Sequence, residues 1–155
     1  MRIQLENHYL IPLIPFLQGM KLKGAQSRAR SKFLNLAMDA YAALHESELE
    51  LLKDYAVLDE AGNLKISGDS AGGERFTLRD AEAAQEYRIE HEKLFTEVAE
   101  IEGGTYTSHL ELMRQILADY DEELDGENAS LYDALCDAFD VGFYKTEGVD
   151  NHAER

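Results

Sequence analysis

One long apolar stripe constrains the fold of this chain more than any other feature of its sequence. From Ala25 onward, apolar side chains recur every three or four residues, at Phe33, Ala37, Tyr41, Leu44, Leu51 or Leu52, and Tyr55. This spacing is typical of one buried face of an α-helix. We predict one long helix that reaches about Leu58, although S-E-L-E at Ser47 is a capping box that could instead begin a second helix.

Two further helices are predicted on either side of this one. A dense apolar run indicates a short buried helix from about Pro12 to Met20, with both prolines tolerated only near its first turn. Asp80 can cap a later helix. The stripe of that helix is Ala84, Tyr87, His91, Leu94, Phe95, Val98 and Ile101, although its last part, EVAEI, could instead be a strand.

The C-terminal third of the chain predicts two more helices. Ser108 and Glu111 form a capping box, which precedes a stripe of Leu110, Met113, Ile116 or Leu117, Tyr120 and Leu124 that ends at Gly126. Asn128 is expected to cap a last helix that turns Leu131, Leu135 and Phe139 inward.

Alternating patterns predict a small amount of β-structure. RIQLE reads as a short strand, and LKIS and RFTLR, which follow the turn DEAGN, read as a hairpin with GDSAGGE at its tip. The expected architecture is α+β and mainly α, with helices packed on a small antiparallel hairpin-based sheet. We expect a single domain over residues 1–145, with the hairpin near 64–79 and a flexible tail at 146–155.

The hairpin tip contains GDSAGG, which resembles the nucleophile loop of trypsin-like serine proteases. In that loop two glycines follow the serine directly, whereas Ala71 follows Ser70 here. Only His8 and His45 precede Ser70, and neither has a recognisable catalytic context. We therefore interpret the motif as a glycine-rich turn and expect no catalytic residue.

The sequence also lacks the spacings that hold metals or cofactors. Neither Glu-x-x-His nor HExxH is present, and no phosphate-binding or dinucleotide-binding glycine pattern occurs. The acidic run DYDEELDGE does not match the order of ligands in a calcium loop, so we interpret it as a solvated helix end. We expect no cofactor and no metal.

Charge is distributed unevenly along the chain. Residues 1–80 contain 10 Lys and Arg against 11 Asp and Glu, whereas residues 81–155 contain 5 against 20. Such an acidic half repels phosphate backbones and anionic lipid, so direct binding of nucleic acid or membrane is not expected. The apolar run LIPLIPFL is too short to span a bilayer and lacks signal-peptide flanks. The single cysteine, Cys136, is expected to be half-buried in a reducing compartment. These features predict a soluble cytoplasmic protein.

A basic cluster within KLKGAQSRARSK is the candidate anion-facing patch; its residues are Lys21, Lys23, Arg28, Arg30 and Lys32. Cations at a helix N-terminus oppose the helix dipole, so a negative group should offset them. Pairing with the acidic half of the same chain or of a second copy is favoured. A separate acidic partner or a phosphate group is the alternative.

Three strings of residues carry a resemblance to a known family. LKGAQSRARSKFLNL, ELLKDYAVLDEAGNL and the late LYDALCDAF together resemble an uncharacterised family of small proteins from phages and prophages of Gram-positive bacteria. The resemblance covers residues 1–141, and its markers are LKG-x-x-SR-x-R and Y-D-x-L. It implies a phage-related setting and synthesis in the bacterial cytoplasm, and it transfers no functional site.

Two hypotheses for function follow from these observations. The first is a non-enzymatic protein that acts through protein–protein interaction, as an accessory or assembly factor. The second is an acidic regulator that mimics nucleic acid and occupies the basic surface of a nucleic-acid-binding protein. Wide apolar stripes in a small domain also predict a homodimer.

Overall fold

A computed structural model describes residues 1–67, 75–103 and 108–142 of the chain. The fold is α+β and mainly α, as predicted. Its elements are β1 (Arg2–Glu6), α1 (Leu10–Gly19), α2 (Gly24–Tyr55), β2 (Ile66–Ser67), β3 (Arg75–Phe76), α3 (Ala81–Thr96), β4 (Val98–Glu102), α4 (Ser108–Asp119) and α5 (Gly126–Ala138). The predicted tail at 146–155 lies outside the described residues.

Helix α2 is continuous over 32 residues, which corresponds to about 48 Å. Its buried positions are Ala29, Phe33, Ala37, Leu44 and Leu52. The prediction of one long helix is confirmed, and the alternative break at Ser47 is wrong. The predicted stripe is wrong at one position, since Tyr41 is 36% exposed. Tyr41 projects beside the buried face rather than into it.

The segment EVAEI is a strand, so the predicted extension of the preceding helix to Ile101 is wrong. Helix α3 ends at Thr96, and β4 pairs antiparallel with β1, with Ile3 opposite Ile101. Both isoleucines are buried, because the pairing turns alternate side chains of both strands toward the core. The side-chain amide of Asn7 donates to the carbonyl of Leu94 at 2.9 Å and satisfies the end of α3.

A second, smaller sheet confirms the predicted hairpin. Strands β2 and β3 pair antiparallel with Ile66 opposite Phe76, and further bridges join Ala56 to Leu78 and Leu58 to Leu64. The predicted turn at DEAGN is present. Its Asp59 carboxylate accepts hydrogen bonds from the backbone of Ala61 and Asn63, and Gly62 has a φ of 80°. The hairpin tip with Ser70 lies outside the described residues.

Helix α1 begins at Leu10, two residues earlier than predicted. Pro12 therefore lies in its first turn, whereas Pro15 lies inside the helix. A proline at this position cannot donate to the carbonyl of Ile11 four residues earlier. Both Pro15 and Ile11 are exposed, so water can satisfy that carbonyl.

The predicted end of α4 at Gly126 is wrong. The helix ends at Asp119, and Gly126 is instead the first residue of α5, with a φ of 52°. The carboxylates between them explain the early end, since negative charge is unfavourable at a helix C-terminus. Asn128 consequently lies inside α5, and Asp125 occupies the N-cap position.

One core unites four helices and the β1–β4 sheet. Phe33 of α2 and Phe139, just after α5, are almost fully buried and meet edge to face, with ring centroids 5.2 Å apart. Predicted inward positions on α4 and α5 are confirmed as buried: Leu110, Met113, Ile116, Leu117, Leu131 and Leu135. Within the described residues, no helix has both the length and the apolarity to cross a bilayer.

Candidate partner-binding groove

The five predicted cations lie around the turn between α1 and α2, but one of them faces inward. The Arg30 guanidinium is half-buried and donates hydrogen bonds to the carbonyls of Leu17 at 2.9 Å and Met20 at 2.7 Å. The Leu17 carbonyl lies in the last turn of α1 and also accepts from the backbone of Met20 at 3.3 Å, and the Met20 carbonyl lies just after the helix. Arg30 therefore caps α1 and secures it to α2.

The other four cations of the predicted patch, Lys21, Lys23, Arg28 and Lys32, are exposed. In the described part of the chain, no carboxylate oxygen lies within 4.0 Å of their side-chain nitrogens. Their charges are thus presented to solvent, and pairing with a second copy or a separate acidic group stays a prediction.

A groove of about 590 Å³ lies beside this turn. The end of α1, the turn, the end of α4 and the connection from α4 to α5 surround it. Its apolar surface comes from Pro15, Phe16, Met20, Leu22, Ile116, Tyr120 and Leu124. This volume falls within the range of about 300–1,000 Å³ that is usual for ligand-binding clefts.

Aromatic side chains form one side of the groove, and their contacts hold them in place. The ring centroids of Phe16 and Tyr120 lie 5.7 Å apart, and those of Tyr120 and Tyr132 lie 5.2 Å apart. The Tyr132 hydroxyl donates to the carbonyl of Leu117 at 2.7 Å, which fixes this ring against the end of α4. The aromatic surface is therefore held in place by both packing and a hydrogen bond.

Both tyrosines are neutral around pH 7. Burial, followed by a hydrogen bond with Cys136, raises the pKa of Tyr132 to about 12. Burial, followed by the nearby charge of Glu122, raises the pKa of Tyr120 above its ordinary value. Each hydroxyl thus stays protonated and can act as a donor.

Four exposed carboxylates border the aromatic surface; they belong to Asp119, Asp121, Glu122 and Glu123. Lys21 is the cation that lines the groove with them. The groove thus combines apolar and aromatic surface with a predominantly negative border. Such a combination suits an apolar side chain that is flanked by cations.

Cys136 is the thiol near the groove, and it contacts Tyr132. Cys136 is half-buried, as predicted, and burial is the main cause that raises the pKa of its thiol, which disfavours the nucleophilic thiolate. Across the described ranges, no group of three or more His, Cys, Asp or Glu is arranged to hold a metal ion.

The groove was not predicted from the sequence, because DYDEELDGE has the composition of a solvated helix end. The signal that could have found it is the pair of large apolar residues, Tyr120 and Leu124, on either side of three consecutive carboxylates. Large apolar side chains such as Tyr120 and Leu124 are not expected at a helix end that is fully solvated. Both are half-buried and line the groove, and the ring of Tyr120 lies 5.7 Å from that of Phe16 in α1.

Comparisons with protein-family models, with curated proteins and with solved structures gave no match to this chain.

Proposed function

We propose that this protein acts without catalysing a reaction, by binding a partner protein in the groove between the end of α1 and the α4–α5 connection. The observation that carries the proposal is the aromatic surface of Phe16 and Tyr120 beside four exposed carboxylates. An apolar anchor in such a groove supplies affinity, and charges at the border supply orientation and speed of association.

The partner has a definable chemistry. Its binding segment carries an apolar or aromatic side chain that enters the groove and Lys or Arg residues that approach Asp121, Glu122 and Glu123. The total charge of −16 supports the same preference, because a strongly acidic protein attracts basic surfaces over long distances. No cofactor is needed for this activity.

The setting we propose is the cytoplasm of a bacterium that carries a phage or prophage. The support is the resemblance of residues 1–141 to the phage and prophage family. An accessory or assembly factor fits this setting, since such a factor holds other proteins together and requires no reactive centre.

The test is a comparison of two charge-reversal variants in prophage-bearing cells. The groove variant carries Glu122→Lys and Glu123→Lys, and the control carries Glu60→Lys and Glu86→Lys, which are exposed carboxylates outside the groove. Both changes alter the net charge equally. We expect a partner that co-purifies with the wild type and the control but not with the groove variant. A partner retained equally by all three proteins would contradict the proposal.

The mimicry of nucleic acid is a second candidate function, and the excess of 20 Asp and Glu over 5 Lys and Arg in residues 81–155 favours it. A mimic holds its partner mainly through charge, so binding should weaken steeply as salt rises. Duplex DNA should also compete for the partner. Binding that persists at high salt and resists DNA competition would support the groove and exclude mimicry.

A further inference from the structure

The outward face of α2 carries an apolar surface at the middle of the helix. Met38 is 46% exposed and Tyr41 is 36% exposed, and Ala42 and His45 are also exposed. The rings of Tyr41 and His45 stack, with centroids 6.2 Å apart and planes 14° apart. Spacings of three and four residues place these side chains together on one helix face.

This face differs from the buried face of the same helix. Phe33, Ala37 and Leu44 point into the core, whereas the exposed face continues through Leu34 at one end and Leu49 at the other. Both leucines are half-buried. The α2 stripe, as we call Leu34, Met38, Tyr41, Ala42, His45 and Leu49, extends over about 22 Å of the helix axis.

The α2 stripe is symmetric about its own midpoint. Around the point between Tyr41 and Ala42, Met38 is as far from the centre as His45, and Leu34 is as far as Leu49. If two copies pair antiparallel about a twofold axis through this point, each side chain of the stripe lies opposite another member of the stripe. Each leucine at an end of one stripe then meets a leucine of the other.

Charges along α2 also favour the antiparallel orientation. The first half of the helix carries the exposed cations Arg28 and Lys32, which have no carboxylate within 4.0 Å among the described residues. The second half carries the exposed carboxylates Glu46, Glu50 and Asp54. Each half also carries one charge of the opposite sign, Asp39 in the basic first half and Lys53 in the acidic second half. Antiparallel pairing places the basic end over the acidic end, whereas parallel pairing places like charges together.

We infer that the α2 stripe is a homodimer interface, in which two copies of the chain pair through antiparallel α2 helices. The apolar centre supplies the buried area, and the basic half of each α2 lies alongside the acidic half of the other, so attraction between the two halves favours this orientation. This interface shares no residue with the groove, so it stands independently of the proposed function.

Sedimentation over a range of protein concentrations tests the surface. We expect the wild type to dimerise and Met38→Glu to raise the dissociation constant at least about tenfold. Ile89→Glu is the matched control, because Ile89 is equally apolar and 49% exposed on α3. Circular dichroism verifies that all proteins are folded. A wild type that stays monomeric at millimolar concentration, or a Met38→Glu protein that dimerises like Ile89→Glu, would overturn the inference.

Disulfide cross-linking tests the orientation. In a Cys136→Ala background, proteins with Met38→Cys and His45→Cys are oxidised separately and as a mixture. Antiparallel pairing brings position 38 opposite position 45, whereas two copies of position 38 are offset by about 10 Å along the axis, beyond disulfide reach. We expect a cross-linked dimer only in the mixture. Cross-linking of Met38→Cys with itself, and none in the mixture, would indicate parallel pairing and refute the orientation.

Charge reversal provides an independent measurement. Lys32→Glu should weaken the dimer at low salt, since it reduces the positive charge of the half of each α2 that lies alongside the acidic half of the other. The double variant Lys32→Glu, Glu50→Lys should restore association, because the charges exchange places. Equal weakening of the single and double variants would contradict the attraction between the basic and acidic halves of the two helices.

Discussion

At the scale of single residues, the same residue type performs different tasks within one short segment. Arg30 and Arg28 are two positions apart, yet Arg30 holds the carbonyls of α1 and Arg28 faces solvent. On a helix, residues two apart do not share a face, so only one of them can reach the preceding helix. Composition revealed a basic cluster, but the helix face of each residue decides its role.

The cap formed by Arg30 leads to a stability prediction. Arg30→Ala should lower the free energy of unfolding by about 2 kcal/mol, because the end of α1 loses two charge-assisted hydrogen bonds. Arg28→Ala is the matched control and should change it by less than about 0.5 kcal/mol. Urea unfolding of both variants measures the difference. Equal effects in the two variants would show that the hydrogen bonds of Arg30 contribute nothing.

A close contact at Gly103 leads to a second prediction. A Cβ at this position would lie 2.8 Å from Cδ1 of Leu110, whose side chain is fully buried. Gly103→Ala should therefore cost about 1–3 kcal/mol through overpacking. Gly19→Ala, with no atom within 4 Å of its added Cβ, should be neutral or slightly stabilising. Thermal unfolding distinguishes them, and a Gly103→Ala protein as stable as Gly19→Ala would contradict the contact.

The raised pKa of Tyr132 predicts a pH dependence. Its folded pKa of about 12 exceeds the ordinary value of 10.0, so the folded state holds this proton more tightly than the unfolded state. The stabilisation is complete below pH 10 and is lost as pH rises from about 10 toward 12. Unfolding at a series of alkaline pH values should show this loss. Tyr132→Phe, which cannot ionise, should show a shallower loss, and an identical slope would refute the assignment.

At the scale of secondary-structure elements, a helix end can be predicted from the neighbouring sequence only where a nearby side chain forms a hydrogen bond with the helix backbone. The Asp80 carboxylate accepts a hydrogen bond from the backbone of Ala83 at 2.7 Å, as the sequence predicted. Asp125 occupies the same position before α5 but makes no such bond. At the end of α3, the backbone of Glu97 and the hydroxyl of Thr96 donate to the last carbonyls, and the remote residue Asn7 adds a further hydrogen bond to that of Leu94.

These two aspartates form a matched pair for a capping prediction. Asp80→Ala should destabilise the protein by about 1 kcal/mol, the usual value for a lost N-cap bond. Asp125→Ala should cost about 0.5 kcal/mol or less, since only its charge near the helix N-terminus is lost. Chemical unfolding provides both values. A larger loss for Asp125→Ala than for Asp80→Ala would contradict the difference in capping.

At the scale of the whole molecule, the chain presents two surfaces with different compositions. The groove is aromatic with an acidic border, and the α2 stripe is apolar with charges of opposite sign toward its two ends. The proposed occupant of the first is a basic partner, and that of the second is a copy of the same chain. No residue belongs to both surfaces.

The two surfaces should therefore be separable by mutation. The Glu122→Lys, Glu123→Lys protein should dimerise like the wild type, and the Met38→Glu protein should still retain the co-purified partner. Sedimentation and co-purification of both variants measure this independence, since effects at sites without shared contacts are usually additive. Loss of the partner from the Met38→Glu protein would show that the groove requires the dimer.

The sequence by itself determined the features whose physical causes are local. Helix hydrogen bonds join residues four apart, so the stripe of α2, the cap at Asp80 and the turn at Asp59 could all be predicted from neighbouring residues. Tertiary structure alone decided the rest. Strand β4 formed because β1, almost a hundred residues earlier, supplies its hydrogen-bond partner. Arg30 became a cap because α1 packs beside it, and Tyr120 became part of a groove wall because its ring meets that of Phe16 in α1. Such contacts join residues far apart in the chain, and no local pattern records them.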